Sequence, residues 1–313
     1  MTARAIAFLL DSVPFTRDVI AGRTSLGGSE SACLGLARAL KARGHEVHIL
    51  ASKLDSEAEG PDQAGVFWHG IDGLADLMRC VSWDVVVGQR MPWFWAHDPI
   101  EARLKVFWAE DLLTLNDSKY VMAVAWAFDR LMYVSDFHRQ QWEERLPELK
   151  GIAYVSRNGF DPADLPAGPV VKDPTRIIHT SRPERGLDPL LTMWPAVRQA
   201  RPDATLQICR YNSMYDAGNW GRVCAGFDAR VAEVNARVGG ITYLGELTKP
   251  DLYRAIAEAA VMWYPGVADF AETSCLAAIE AQACGTPFVG SYKGALPETV
   301  PNGHLVRGDA RRP

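Results

Sequence analysis

The sequence lacks a basic excess, a long apolar run, paired cysteines and any acidic metal-binding pair, and each absence removes a class of protein. Its 33 Lys and Arg against 38 Asp and Glu leave a formal net charge of −5. That is the wrong sign for a surface that tracks nucleic-acid phosphates, so no nucleic-acid partner is expected. The first apolar run, Ala5 to Leu10, is too short for a signal peptide core or a membrane span and reads as a buried strand. A cytoplasmic location with no transmembrane segment is expected, with peripheral membrane contact left open. The 6 cysteines form no C-x-x-C pair and no His/Cys cluster, which fits reduced thiols. No D-x-D occurs, and neither G-x-G-x-x-G nor a P-loop is present, so dehydrogenase and NTPase readings lose their support.

What is present is a chain of 313 residues, 48% apolar and 23% charged, able to bury a core and long enough for two domains. Short apolar runs alternate with amphipathic stretches. "AIAFLL" reads as a strand, Ser29 as the cap of a helix carrying Ala32, Cys33, Leu36 and Leu40 on one stripe, and "EVHILA" as the next strand. "WDVVVG", "LKVFW", "LMYVS" and "IAYVS" continue the series. The proline-rich stretch at 161–174 breaks it and reads as a linker. Alternation then resumes with "RIIHT", "TLQIC", "ITYLG", "VMWYP" and "PFVG". The expected fold is α/β: two Rossmann-like domains with mainly parallel sheets, an N-terminal domain at 1–165 and a C-terminal one at 175–313.

Three stretches could carry chemistry. In "TSLGGSESACLG", Gly27 and Gly28 precede a helix, which makes either a tight turn or a loop whose backbone can approach an anionic ligand. In "HTSRPERGL", Arg182 and Arg185 follow a strand end, as solvated loop arginines or as a bidentate clamp for a diphosphate. In "AETSCLAAIEAQACGTP", Glu272 and Glu280 have seven residues between them. Within one ideal helix that spacing covers about 12 Å, so the two carboxylates cannot act on one bond as a close pair. With Glu272 in the loop before the helix, they would address opposite ends of an extended ligand. The backbone N–H groups of Thr273, Ser274 and Cys275 would open the helix between them.

"GGSESACLGLARALKARGHEV", "RNGFD", "SRPERGL" and "ETSCLAAIEAQACGTPFVGSYKGALPE" together resemble the retaining nucleotide-sugar glycosyltransferases of family 4, which have the GT-B fold. The resemblance runs from Ala5 to about Gly308 and is most specific at E-x-seven-E followed by A-x-A-C-G-T-P. It implies two domains facing across a cleft. Glu272 would contact the transferred sugar, and Thr273, Ser274 and Cys275 would offer N–H groups to sugar or phosphate. Glu280 would hold the ribose hydroxyls. Arg182 and Arg185 would neutralise the leaving diphosphate, Arg185 standing where the family usually has Lys. The Gly27–Gly28 loop would close over the phosphates, and "LGEL", ending at Leu247, would border the base. The implied partners are a nucleotide-sugar donor and a glycan, lipid or small-molecule acceptor. No cofactor and no obligatory metal are implied.

Departures are visible in the same segments. "KVFWAEDL" resembles the family's W-x-H-D segment on the sugar or acceptor side, with Glu110 in place of His before Asp111. A carboxylate there is expected to accept hydrogen bonds without supplying the donor that His would. Thr273 and Cys275 replace glycines, and the chain ends at Pro313 where relatives continue, so a C-terminal truncation is expected. A nucleotide-sugar epimerase of the same architecture and a non-catalytic binder are the competing readings. Trp93, Phe94 and Trp95 read as interior packing or an acceptor platform, and His138 as a packing or surface histidine.

Overall fold

A computed structural model describes residues 2–96, 100–209, 219–267 and 269–308. The chain divides into two compact units, Met1–Gly159 and Phe160–Pro313. The proline-rich stretch falls with the second unit, where Leu165 packs on that unit's core.

The first unit is built on β1 (Ala5–Leu10), β2 (Glu46–Ala51), β3 (Gly60–Pro61), β4 (Phe67–Gly70), β5 (Trp83–Gln89), β6 (Ala102–Trp108), β7 (Arg130–Tyr133) and β8 (Ala153–Val155). They form one sheet in the order β3-β4-β2-β1-β5-β6-β7-β8, parallel except for the short β3. Both faces of the central strands are covered, which is why β1 and β2 are almost continuously apolar. The helices are α1 (Arg17–Ile20), α2 (Gly28–Ala42), α3 (Leu74–Cys80), α4 (Leu115–Val124) and α5 (Asp136–Glu143). One large core joins Leu9, Val86, Phe107, Leu131 and Trp142. Phe94 and Trp95 belong to it, with the Trp95 indole filling the space over Gly88, while Trp93 stays partly exposed.

The second unit contains β9 (Asp173–His179), β10 (Thr205–Cys209), β11 (Ile241–Gly245), β12 (Ala259–Tyr264), β13 (Phe288–Ser291) and β14 (His304–Val306) in the order β11-β10-β9-β12-β13-β14, all parallel. Its helices are α6 (Leu187–Ala200), α7 (Asn219–Val238), α8 (Lys249–Glu258), α9 (Leu276–Ala283) and α10 (Leu296–Thr299). Leu190, Trp194, Val231 and Val234 cover one face of the sheet, and Tyr253, Ile256, Ala278 and Ala281 the other.

Two local expectations are corrected. The N-cap of α2 is Gly27, with no side-chain cap, so Ser29 lies inside the first turn rather than before it. Glu272 lies in the loop before the helix, as its proposed role requires, but Thr273 and Ser274 do not open the helix: α9 starts at Leu276 with Cys275 as N-cap, which leaves both in the preceding loop.

Among the parallel strands of each sheet the order reverses once, between β1 and β5 and between β9 and β12. In open α/β sheets the carboxyl ends of the strands flanking such a reversal bind ligands. Arg182 and Arg185 follow β9, and Glu272 lies in the connection after β12. Gln89 ends β5, and Glu110 and Asp111 follow β6.

Candidate active site

In the second unit the sequence-predicted residues fall into two groups. Glu272 is 5% exposed and its Oε1 atom accepts from the Tyr264 hydroxyl at 2.5 Å and from the Arg185 guanidinium at 3.4 Å. Arg185 also lies over the Phe270 ring, 4.5 Å from its centroid. Burial works against the guanidinium charge, but Glu272 and, behind it, Tyr264, Glu184 and Cys275 together outweigh it and raise the Arg185 pKa. Arg182 is paired with Glu184 at 2.7 Å, and burial pushes the Glu184 carboxyl up. Cys275 is buried and its thiol is held well above the ordinary range by desolvation and by Glu272, so it is an inert packing group.

The backbone fixes Glu272 as firmly as its side chain does. Its carbonyl accepts from Ala295 N–H at 2.8 Å, in the loop between β13 and α10. Gly294 there has φ +57, and a Cβ would come within 2.6 Å of that carbonyl. Only glycine fits the left-handed backbone and the close approach together. Nearby, a Cβ on Gly186 would stand 3.0 Å from the Gly266 nitrogen, so the loops after β9 and β12 also touch backbone to backbone.

Glu280 is in the second group. It is 4% exposed on α9 and ion-paired with Lys249 at the start of α8. Leu247 is partly buried against the same core, close in sequence to Lys249. Glu272 and Glu280 are therefore held by different partners, one at the loop and one inside the helix.

In the first unit the N-terminus of α2 and the ends of β5 and β6 gather a polar cluster. Glu110 Oε1 accepts from the Gln89 amide at 2.9 Å, and the same amide donates to the Ser29 carbonyl at 2.9 Å. Arg90 grips Asp111 through two bonds of 2.7 and 3.3 Å and stands 3.9 Å from buried Glu30. Arg90 has φ +65, in a tight turn closed by Met91 N–H to the Gln89 carbonyl at 2.7 Å. Such strain persists only where the surroundings impose it. Burial raises the Glu110 carboxyl to about 7, against the opposing bonds from Gln89 and Ser29 and the charge of Arg90. A carboxyl shifted in this direction holds its proton to higher pH than an ordinary glutamate, and in that form it can donate as well as accept.

His138 is fully buried, as a packing histidine. Its Nε2–H and the Trp142 indole N–H both donate to the Asp111 carbonyl, at 2.8 and 3.0 Å. Burial lowers its pKa to about 4, so it stays neutral and braces the Glu110–Asp111 segment. Gly27 is buried and Gly28 exposed at the mouth of α2. Among the described residues no His/Cys/Asp/Glu group is arranged to hold a metal, and no helix is long and apolar enough to cross a membrane.

Sequence reasoning missed Tyr264, Lys249, Gln89, Arg90 and Glu30. Tyr264, Gln89 and Arg90 sit at or just after the carboxyl end of a strand, the same signal that exposed Arg182.

Paired doubly wound sheets with polar groups at their carboxyl ends define the GT-B architecture, and solved structures share it. Sucrose-phosphate synthase from Thermosynechococcus elongatus aligns over 98% of this chain and 87% of its own, with TM-score 0.75 and 17% identity. Anabaena HepE in complex with UDP and glucose aligns over 98% and 87%, with TM-score 0.69 and 17% identity. Residues 174–312 match the family described as glycosyl transferases group 1. A GDP-mannose-dependent monoacylated alpha-(1-6)-phosphatidylinositol monomannoside mannosyltransferase of Corynebacterium glutamicum is 31% identical over 136 residues, 42% of this chain. The match spans 32% of that relative's length.

Proposed function

We propose that the protein is a retaining glycosyltransferase that moves a sugar from a nucleoside-diphosphate sugar to a glycan, lipid or small-molecule acceptor without an obligatory metal. The observation that carries this reading is the grouping of Arg185, Glu272 and Tyr264 at the strand reversal of the second sheet, in the segment that matches the family. Breaking a sugar–phosphate bond passes through an oxocarbenium-like state while the diphosphate gains charge. Arg182 and Arg185 are assigned to that charge, together with the backbone N–H groups of Thr273, Ser274 and Cys275. Glu272, with one oxygen held by Tyr264 and Arg185, is assigned to the transferred sugar through the other. Glu280 is assigned to the ribose and Leu247 to the border of the base. In the first unit Glu110 and Asp111 are assigned to sugar or acceptor hydroxyls.

The names of the relatives make GDP and UDP the first nucleotides to try. Calorimetric titration of the chain with UDP, GDP and ADP, in EDTA, should show selective binding of one of them. Arg182→Ala should abolish it, and Glu280→Ala should weaken it. Binding of none, or equal affinity in both variants, overturns the assignment. Turnover that disappears in EDTA and returns with manganese overturns the metal-free part alone.

A further inference from the structure

A cavity of about 670 Å³ opens in the first unit between α1, α2 and the segment around β3, away from the Gln89–Glu110 cluster. Its construction starts where β1 and β2 leave the sheet. Their extensions meet in a parallel bridge between Phe15 and Leu54, with Phe15 N–H donating to the Lys53 carbonyl at 2.8 Å and Asp55 N–H to the Phe15 carbonyl at 2.9 Å. That bridge sets α1 beside the turn Ser56–Ala58, and the Arg17 Nε–H donates to the Glu57 carbonyl. From the third turn of α2, Arg38 donates to the Ile20 carbonyl at 2.5 Å. Both guanidiniums line the cavity, and neither makes an ion pair among the described residues.

Two of the three acids in the same wall, Asp62 and Glu59, are turned to other work. Asp62 accepts from the N–H groups of Ala64 and Val66 at 2.9 Å each and from the Trp68 indole at 3.4 Å. Glu59 accepts from Gly70 N–H at 3.1 Å. Both carboxylates therefore shape the β3–β4 turn. One turn beyond Arg38, Lys41 stands 5.4 Å from the centre of the Phe67 ring and adds positive charge at the flank. A guanidinium carries five N–H donors in a rigid fork, and a backbone carbonyl takes only one or two. The remaining donors of Arg17 and Arg38 suit an oxyanion, while Glu57 and Gln63 in the same wall suit hydroxyl groups. The volume is that of a small-molecule site.

We propose that this cavity binds a saccharide carrying a phosphate or carboxylate group, with the anion on Arg17 and Arg38 and the hydroxyls toward Glu57 and Gln63. Under the transfer reading above, this ligand is the acceptor or a neighbouring unit of it. Binding itself needs no donor and no turnover, so its test is independent of that reading.

The experiment is an amide-shift titration of the ¹⁵N-labelled full chain with glucose 6-phosphate, glucuronate, glucose and inorganic phosphate. Glucose 6-phosphate or glucuronate should shift the amides of Ala21, Ala58 and Ala64 with a Kd of about 1 mM or below. Whichever of the two binds more tightly identifies the anion. Arg17→Ala and Arg38→Ala should each weaken binding at least about tenfold, Arg38→Lys less so because it keeps the charge but loses the fork, and Glu57→Gln should tighten it. Spectra unchanged elsewhere in the unit establish that the variants fold. Three results overturn the proposal: no shifts with either charged sugar, inorganic phosphate binding as tightly as the sugar phosphate, or full affinity in the Arg17→Ala, Arg38→Ala double variant. None of them bears on the nucleotide titration.

Discussion

Replacing Glu110 by Gln should make the first unit more stable at alkaline pH and leave it nearly unchanged in acid. In the folded state burial raises this carboxyl from about 4.5 to about 7, a difference worth about 3 kcal/mol. The sign follows from proton counting. Below pH 4.5 the folded and unfolded chains both hold the proton, and the side chain is neutral in each. Between 4.5 and 7 the folded chain keeps a proton that the unfolded chain has lost, so stability falls as pH rises. Above 7 the full cost of a buried anion remains. Gln presents a similar shape with no charge, can still accept from the Gln89 amide, and should not show this slope. The assay is urea unfolding of wild type and variant from pH 4.5 to 8.5, followed by fluorescence, because seven of the ten tryptophans (68, 83, 93, 95, 108, 126 and 142) lie in this unit. Other titrating groups cancel in the difference, apart from the neighbours that face Glu110: Arg90, Asp111, Glu30 and Cys33. The advantage of Glu110→Gln should grow by about 3 kcal/mol across this range. A difference constant within about 0.5 kcal/mol, the usual limit of additivity, would refute the reasoning.

Two further outcomes are expected in the second unit. Tyr264→Phe removes one hydrogen bond to a buried carboxylate, which should cost about 1–2 kcal/mol in the urea midpoint and slow turnover about tenfold at unchanged nucleotide affinity; an equal loss of nucleotide affinity would contradict the placement of Tyr264 behind Glu272. Gly294→Ala forces a left-handed residue and a Cβ against the Glu272 carbonyl, so a loss of at least about 2 kcal/mol is expected, and wild-type stability would disprove the close approach.

Much of the fold was legible because most strands are buried on both faces and announce themselves as apolar runs; β1, β2, β10 and β11 coincide with the segments read from sequence. The longest helix, α7, was not read. Its stripe of Cys224, Val231 and Val234 is regular, but Gly221 and Gly226 interrupt the first half and weaken the local helical signal. The short β3 and β4 have too few residues to show a period. For the site, Arg185 and Glu272 were legible as types at strand ends and before a helix. Their contact was not, because Arg185, the pair Tyr264 and Glu272, and Gly294 come from three separate segments, and nothing in a linear pattern says which strand end lies beside which. The raised pKa of Glu110 was hidden for a related reason: it depends on burial under α2, and the sequence shows only a carboxylate next to another carboxylate.

The loops behind β9, β12 and β13 have a consequence for redesign. Gly186 lies against the Gly266 backbone, Gly266 against the Ser291 side chain, and Gly294 against the Glu272 backbone, so the three segments mesh like cogs. A transplant of any one loop from a relative would jam against the two left behind. The practical module for exchange is all three loops together, and substitutions outside those contacts are the ones free to vary singly.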